Sequence, residues 1–557
     1  MEAIGTLTSE QARVVEAPIA SRLLVIAGPG TGKTHTLVAR AASLADPTKH
    51  SAAASVLALS FTRSVVSEIQ NRTRDLSASP VSAATIHAYA WKLLAQHGEA
   101  AGFGFDRTVT KAAKLVRDGD VTVHFEHILV DEAQDLVGGV GDFIRALLAA
   151  TDGGFTVFGD PDQAIFDFNA KAGESNFFSH LRQIGGLTEV ELTQNFRADP
   201  NLGEPPSPNS PELVQRHLRE LNHLTSPAQL ATLMKRRNGS LVLLTCTNGE
   251  GLQWARDLQE LGISSLSMRQ SVTLSAAPPW IARFVNSESA TRWTRDSFLD
   301  WAKASASIPD PVAAWREVRQ LTRGIDNDNA VTQAGIRTAL ATPRRADDGI
   351  ASAAGPTVST IHRAKGLEWD DVVVLEPRDP ITTETEARQL YVAITRSRGE
   401  TIVLSRGKID FKMHRLKRAS RRWAASSWSG KLLAVECQFG DVNSLVPPSG
   451  SGDAAAIQGI LGSRIVANDP VELIVEDRET ITVTADGETI GYMSKAFADE
   501  LNQETTLSSI TKLIGARVLC VRSTSGDPDE CELAGLPATG VWLCAEIYGL
   551  ASLEGVA

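Results

Sequence analysis

The apolar positions of this chain fall into short unbroken runs that stop at glycine, proline or acidic residues. Runs at 23–27, 56–61, 127–130, 156–159, 241–246, 372–375 and 401–404 have the length and pattern of strands buried on both faces. Segments of helical period lie between most of them, and strands alternating with helices predict α/β with parallel sheets. Residues 209–237 read as two polar helices after a Pro-rich stretch at 204–211. From 264 to 355 the strand rhythm breaks, and Trp280, Trp293, Trp301 and Trp315 sit among helical patterns, so a small helical insertion is expected. A Pro/Gly/Ser-rich segment at 443–456 reads as a linker. Beyond it the pattern changes to short β runs at 471–475, 480–484, 489–492, 517–522 and 541–548, interrupted by a helix over 495–502.

The predicted organisation is a first parallel-sheet core (1–187) and a second core in two parts (188–263 and 356–442). The helical insertion (264–355) divides the second core, whose end carries a basic helix. The linker (443–456) and a small β-rich, barrel-like domain (457–557) follow. A chain of 557 residues is long enough for several cores. No apolar run reaches membrane-spanning length, and the first twenty residues lack a basic start and an apolar signal core. Five cysteines without a C-x-x-C pair suit reduced thiols, so a cytoplasmic location is expected.

Charge changes the picture through its distribution. The net charge is −11, yet residues 436–557 alone hold 19 Asp/Glu against 6 Lys/Arg. The rest is close to neutral and can carry a basic groove, while the acidic tail suits docking to a protein partner. Residues 408–422 hold seven Lys/Arg against one Asp and are followed by Trp423 and Trp428. They read either as a backbone-binding helix or as a solvated basic face.

The strongest chemical signal is Ala27-Gly-Pro-Gly-Thr-Gly-Lys-Thr34 between a strand and a helix. In a P-loop the backbone N–H groups of Gly28, Gly30, Thr31 and Gly32 and the helix N-terminus hold phosphates. Lys33 reaches the terminal oxygens, and the Thr34 hydroxyl holds Mg²⁺. The second signal is Ile128-Leu-Val-Asp-Glu-Ala-Gln-Asp135, where two carboxylates end a strand expected beside the P-loop strand. Asp131 can hold Mg²⁺ through water, and Glu132 can take a proton from an attacking water. The pair predicts an ATP hydrolase with ATP and Mg²⁺ as its requirements.

From residue 6 to 404 the chain resembles superfamily 1 DNA helicases of the UvrD/Rep/PcrA type, motif by motif and in order. Leu7-Thr-Ser-Glu-Gln11 is similar to the family's Q motif, which makes Gln11 the reader of the adenine edge; Thr8 with Gln11 also fits a capping box. Leu59-Ser-Phe-Thr-Arg63 and Thr85-Ile-His-Ala88 resemble strand-contacting motifs and nominate Phe61, Thr62, Arg63 and His87. Phe158-Gly-Asp-Pro-Asp-Gln-Ala-Ile-Phe-Asp-Phe168 resembles the motif in which a glutamine, here Gln163, senses the γ-phosphate; there Phe166 and Phe168 would stack on bases. Leu192-Thr-Gln-Asn-Phe-Arg197, Thr360-Ile-His-Arg-Ala-Lys-Gly-Leu-Glu-Trp369 and Leu390-Tyr-Val-Ala-Ile-Thr-Arg396 resemble the second core's motifs. The resemblance implies that Phe196 stacks on adenine, Glu368 contacts the ribose and His362 touches the strand. Arg197 and Arg396 would enter as arginine fingers from the second core.

The resemblance implies two RecA-like cores, and an enzyme that moves on single-stranded DNA or a single-strand/duplex junction with 3′–5′ polarity, in DNA repair, recombination or phage defence. Two departures matter. Phe168 and Asn169 stand where the family usually has Trp and Arg, and both duplex-touching insertions are much shortened. Translocation is therefore expected more firmly than unwinding. A nucleotide-switched sensor of DNA ends that recruits a partner is the alternative. Residues 481–501 are similar to HIRAN-type domains, small barrels that hold DNA ends, but lack that family's Asn/Asp-rich signature.

Overall fold

The computed structural model describes the chain outside residues 1–6, 47–54, 74–80, 99–104, 166–175, 198–204, 238, 264–265, 269–273, 306–307, 323–324, 327–329, 342–343, 346–355, 407–410, 417–421, 449–452, 506–508 and 556–557. The first core holds β1 (Arg22–Ala27), β2 (Val56–Ser60), β3 (Val81–Thr85), β4 (His127–Val130), β5 (Gly154–Gly159) and β6 (Leu187–Leu192). They form one parallel sheet in the order β3-β2-β4-β5-β1-β6. The acidic strand β4 is therefore not beside the P-loop strand β1, as expected; β5 lies between them. β5 is buried along its whole length, and a strand with no polar face fits only in the interior of a sheet.

β6 corrects the first domain boundary. It pairs in parallel register with β1, from Arg22 opposite Leu187 to Ala27 opposite Leu192, so the first sheet runs past residue 187. The chain leaves that sheet next to the P-loop. The shortened first insertion is one described helix, Phe105–Arg117, packed between Ile86–Gln96 and Gly138–Ala150.

The second core contains β7 (Asn222–Leu224), β8 (Leu241–Thr245), β9 (Ser267–Met268), β10 (Thr357–Thr360), β11 (Asp371–Leu375) and β12 (Thr401–Leu404). They form a second parallel sheet, ordered β7-β12-β11-β8-β10-β9. The insertion supplies four helices, Pro279–Ser287, Arg295–Ala304, Pro311–Leu321 and Gln333–Ala341. Its aromatic core is compact: the Phe284 ring lies 4.7 Å from the Trp293 and Trp301 rings and 5.0 Å from Phe298.

The C-terminal sheet is antiparallel and eight-stranded, with β13 (Phe411–Arg415), β14 (Trp423–Ser427), β15 (Leu432–Cys437), β16 (Pro470–Val475), β17 (Ile481–Ala485), β18 (Glu488–Tyr492), β19 (Lys512–Ser525) and β20 (Val541–Glu554). Its order is β13-β14-β15-β20-β19-β16-β17-β18. The basic stretch is thus not a helix where it is described. Phe411–Arg415 pairs with Trp423–Ser427, and these strands belong to the C-terminal sheet rather than to the second core. The alternation explains this: Met413 packs inward while Lys412 is exposed, a period of two.

Two contacts tie this module to the second core and its insertion. The helix Asn248–Glu260, which directly follows β8, packs on β13, β14 and β20. A Cβ at Gly249 would lie 2.7 Å from the Trp423 ring, so only glycine permits that approach. The insertion helices share one apolar core with the sheet and add polar ties: Ala282 N–H donates to Ser523 Oγ at 2.9 Å, and Asn286 Nδ2 to the Val541 carbonyl at 3.1 Å.

Candidate nucleotide cleft and strand-binding edge

In both parallel sheets the chemistry-bearing residues follow the C-terminal ends of strands, where α/β folds present loops to ligands. The P-loop follows β1, Asp131 and Glu132 follow β4, and Gln163 follows β5. The helix Lys33–Ala45 begins inside the motif with Gly32 in the left-handed region at φ 78°, and Gly30 lies at φ 76°. Both glycines are also crowded: a Cβ at Gly30 would lie 2.6 Å from Arg197 Cβ, and one at Gly32 would lie 2.7 Å from Gln11 Nε2. Thr31 Oγ1 donates to the Gly28 carbonyl at 2.8 Å, closing the loop, and Thr34 stands in the first helical turn.

The capping box expected at Thr8 and Gln11 is present, and the same Gln11 side chain reaches the P-loop. Its side-chain oxygen accepts from Thr8 N–H at 3.1 Å in a complete capping box. Its Nε2 donates to the Thr31 carbonyl at 3.1 Å, so the helix cap fixes the amide against the P-loop. Phe196 N–H donates to the Gly30 carbonyl at 2.8 Å, and the Phe196 ring is 55% exposed beside the loop. That ring is free to stack on a base.

Lys33 Nζ lies 2.8 Å from Glu132 Oε2. Burial works against the Lys33 charge, but Glu132 and Asp131 outweigh it and hold the ammonium well above its ordinary value. Glu132 sits at φ 55°, a left-handed backbone that costs a non-glycine residue roughly 1–3 kcal/mol. Burial opposes its charge too, yet Lys33 and Lys365 hold its carboxyl down at about 2. Asp131 is 1% exposed, and burial with the neighbouring Glu132 pushes it up to about 7. Burial also raises Asp160 and takes Asp135 up to about 6. Buried carboxylates that raise one another's pKa suit a divalent cation. Among the described residues no group of three His, Cys, Asp or Glu converges as a metal site. Mg²⁺ would therefore rest on Thr34 and Asp131 with oxygens of the substrate, the usual arrangement for a phosphate-bound Mg²⁺.

The second core closes over this wall. Arg396 is 3% exposed and donates through Nη2 to Gln163 Oε1 at 3.0 Å; Gln163 Nε2 donates in turn to Asp160 at 2.7 Å. Burial, and then the positive charge of Arg197, lower Arg396 to about 10. Arg197 is paired with Glu368 and donates to the Thr395 carbonyl at 3.0 Å, while Arg398 holds the other Glu368 oxygen at 2.9 Å. Arg197 does not enter from the second core, as expected. It follows β6 of the first sheet, because the β1–β6 pairing releases the chain there, and it reaches across to the second core.

Several residues of this cleft were quoted within motifs but given no role by sequence reasoning. Gln134 joins two of the motifs, donating to Glu132 and accepting from Asp160 N–H at 2.9 Å. Lys365 crosses between the cores, paired with Asp135 and donating to the Gln163 carbonyl at 2.9 Å. Its signal was a lysine inside a motif otherwise read for His362 and Glu368.

The candidate strand contacts line the same sheet edges. Phe61 and Thr62 follow β2; Phe61 is partly buried against the first core, and Thr62 N–H donates to Ser60 Oγ at 3.2 Å. Arg63 opens the helix Arg63–Thr73. His87 is the second residue of the helix after β3. His362 follows β10, where burial lowers its pKa. Phe166 and Phe168 lie outside the described residues.

Comparisons with known proteins agree with this geometry. A family of AAA domains matches residues 11–169, and the UvrD-like helicase C-terminal domain matches residues 357–404. The ATP-dependent DNA helicase UvrD2 of Mycobacterium bovis and that of Mycobacterium tuberculosis are 34% identical over 145 residues, 24% of this chain. The match spans about a fifth of the length of those relatives, 20%. The crystal structure of Pif1 helicase from Candida albicans aligns with 72% of this chain and 95% of its own at 16% identity, with a TM-score of 0.36, too low to bear on the fold. The two matched segments fall on the two parallel cores that carry the cleft, and over those segments the chain is similar to an AAA domain and to the UvrD-like helicase C-terminal domain.

Proposed function

We propose that this chain is an ATP-driven motor on single-stranded DNA: an ATP hydrolase whose turnover moves a strand across two cores, with 3′–5′ polarity. The relatives' printed name, ATP-dependent DNA helicase, supports the substrate and the energy source. The observation that carries the reading is the Arg396–Gln163 contact at 3.0 Å, which brings a second-core guanidinium onto the wall that holds Lys33 and Glu132.

The chemistry follows from the residues. Phe196 and Gln11 take the base end of the nucleotide, and the P-loop N–H groups take its phosphates. Lys33 must exchange Glu132 for a phosphate oxygen, which removes a cation that depresses Glu132 and frees its carboxylate to accept a proton from water. Mg²⁺, when bound, neutralises charge that develops on the phosphates. Arg396 adds positive charge only while the cores are together, Arg197 lies beside the P-loop and reaches across to the second core, and a catalytic guanidinium contributes roughly 10³–10⁵ in rate. Bound ATP therefore favours closure, closure speeds hydrolysis, and product release favours opening. A strand held at Phe61 and His87 on one core and His362 on the other would be ratcheted by that cycle.

The test pairs two measurements on the full chain. ATP turnover should rise with single-stranded DNA, and streptavidin should be displaced from one end of a biotinylated strand in an ATP-dependent way. Turnover without displacement from either end would favour the nucleotide-switched sensor instead.

A further inference from the structure

We propose that the β13–β14 hairpin is a second single-strand contact, outside the cores, in which Trp428 stacks on a base and Lys412 and Lys431 hold backbone phosphates. This rests on the motor reading for the direction from which the strand arrives.

Trp428 is 65% exposed, in the turn that follows β14. Lys412 Nζ lies 4.7 Å from its ring centre, and Arg415 stacks on Trp423 at 4.4 Å. The register places Lys412 opposite Ser426 and His414 opposite Ala424 on one face, with His414 Nε2 2.8 Å from Ser426 Oγ. On the other face Met413, Trp423 and Ala425 pack toward the helix Asn248–Glu260. The hairpin is thus anchored through Met413, Trp423 and Ala425, while Lys412, Trp428 and Lys431 stay exposed at its outer end.

Its charge is opposite to that of its own module. From residue 436 onwards acidic residues outnumber basic ones 19 to 6, whereas the described residues 411–416 carry two cations and no acid. A positive edge on an acidic body suits a polyanion. Lysine on an edge strand also blocks edge-to-edge aggregation, but that role does not call for an exposed tryptophan. An indole flanked by cations is the arrangement that binds unpaired bases regardless of sequence.

Position supports the same occupant. Trp423 abuts Gly249 at the start of the helix that follows β8, and β8 is the sheet neighbour of β10, which leads to His362. The hairpin is thereby fixed to the helix that follows a strand adjacent to the one leading to His362.

The full chain is titrated into fluorescein-labelled oligothymidylates of about 10 and about 40 nucleotides, short enough for the cores alone and long enough to reach beyond them. Trp428→Ala should weaken long-strand binding about tenfold, and Trp428→Phe should restore most of it. Lys412→Gln with Lys431→Gln should flatten the log affinity versus log salt slope on the long strand by about 1.4. Short-strand affinity should stay at the wild-type value in all three. Wild-type long-strand affinity and salt slope in both the tryptophan and the lysine variants would overturn the proposal. Failure of the motor reading shows separately, as wild-type ATP turnover that the short strand does not raise.

Discussion

The nucleotide cleft and the C-terminal module both bury ionised side chains, but they neutralise them differently. In the module each buried guanidinium has its carboxylates. Arg422 meets Asp441 through two bonds of 2.5 and 2.8 Å and Glu500 at 3.0 Å; Arg522 meets Glu546 at 2.6 Å. Burial opposes the Arg422 charge, yet Asp441 and Glu500 hold it well above its ordinary value. In the cleft, Arg396 is held by the neutral Gln163 and lowered by burial and by Arg197, while Asp131 is pushed up to about 7 by burial and Glu132. Charges balanced within the protein brace it. Charges left partly unbalanced suit a polyanion and a metal ion supplied from outside.

That contrast can be broken experimentally, beginning where the effect should be largest. Lys33→Ala should nearly abolish ATP turnover, measured with saturating single-stranded DNA, while circular dichroism and melting stay close to wild type. Changing Arg197→Met with Glu368→Leu removes a cleft pair as a unit. Turnover should fall roughly 10³-fold, the lower end for a lost guanidinium, with the fold retained.

The module should behave in the opposite way. Glu546→Leu alone leaves Arg522 buried without its carboxylate and should lower stability by about 3–5 kcal/mol in urea unfolding. Arg522→Met with Glu546→Leu should recover most of that loss, since an apolar pair of similar volume is often as stable as the buried ion pair. Lys365→Ala should have the smallest effect on chemistry. Losing its charged hydrogen bonds to Asp135 and the Gln163 carbonyl should cost turnover about 10- to 100-fold, visible as weaker stimulation by DNA.

The two regions also differed in how far the sequence revealed them. Cleft residues sit in short contiguous motifs at strand ends, so Lys33, Glu132, Gln163 and Arg396 were legible from local pattern and meet in the structure. What local pattern could not show was which strand neighbours which. β5 separates β1 from β4, and β6 carries Arg197 on the first sheet, because both depend on long-range pairing. Gln134 and Lys365 were overlooked for the same reason, since their partners lie in other motifs. In the module, the helix Lys495–Asn502 was read correctly from its period. The strand Phe411–Arg415 departs from the expected basic helix because its side chains alternate, Lys412 outward and Met413 inward, with a period of two. Arg422 shows the cost of reading a charge run as one unit: it is buried and paired, while Lys412 of the same run faces outward.

Catalysis in this cleft should need a guanidinium from the second core at the wall bearing Lys33. Single-turnover ATP hydrolysis by Arg396→Ala, at saturating DNA and with nucleotide binding followed in parallel, tests it most directly. A fall of roughly 10³-fold or more in the hydrolysis step with nucleotide still bound is expected. A rate within a few-fold of wild type would contradict the composite cleft.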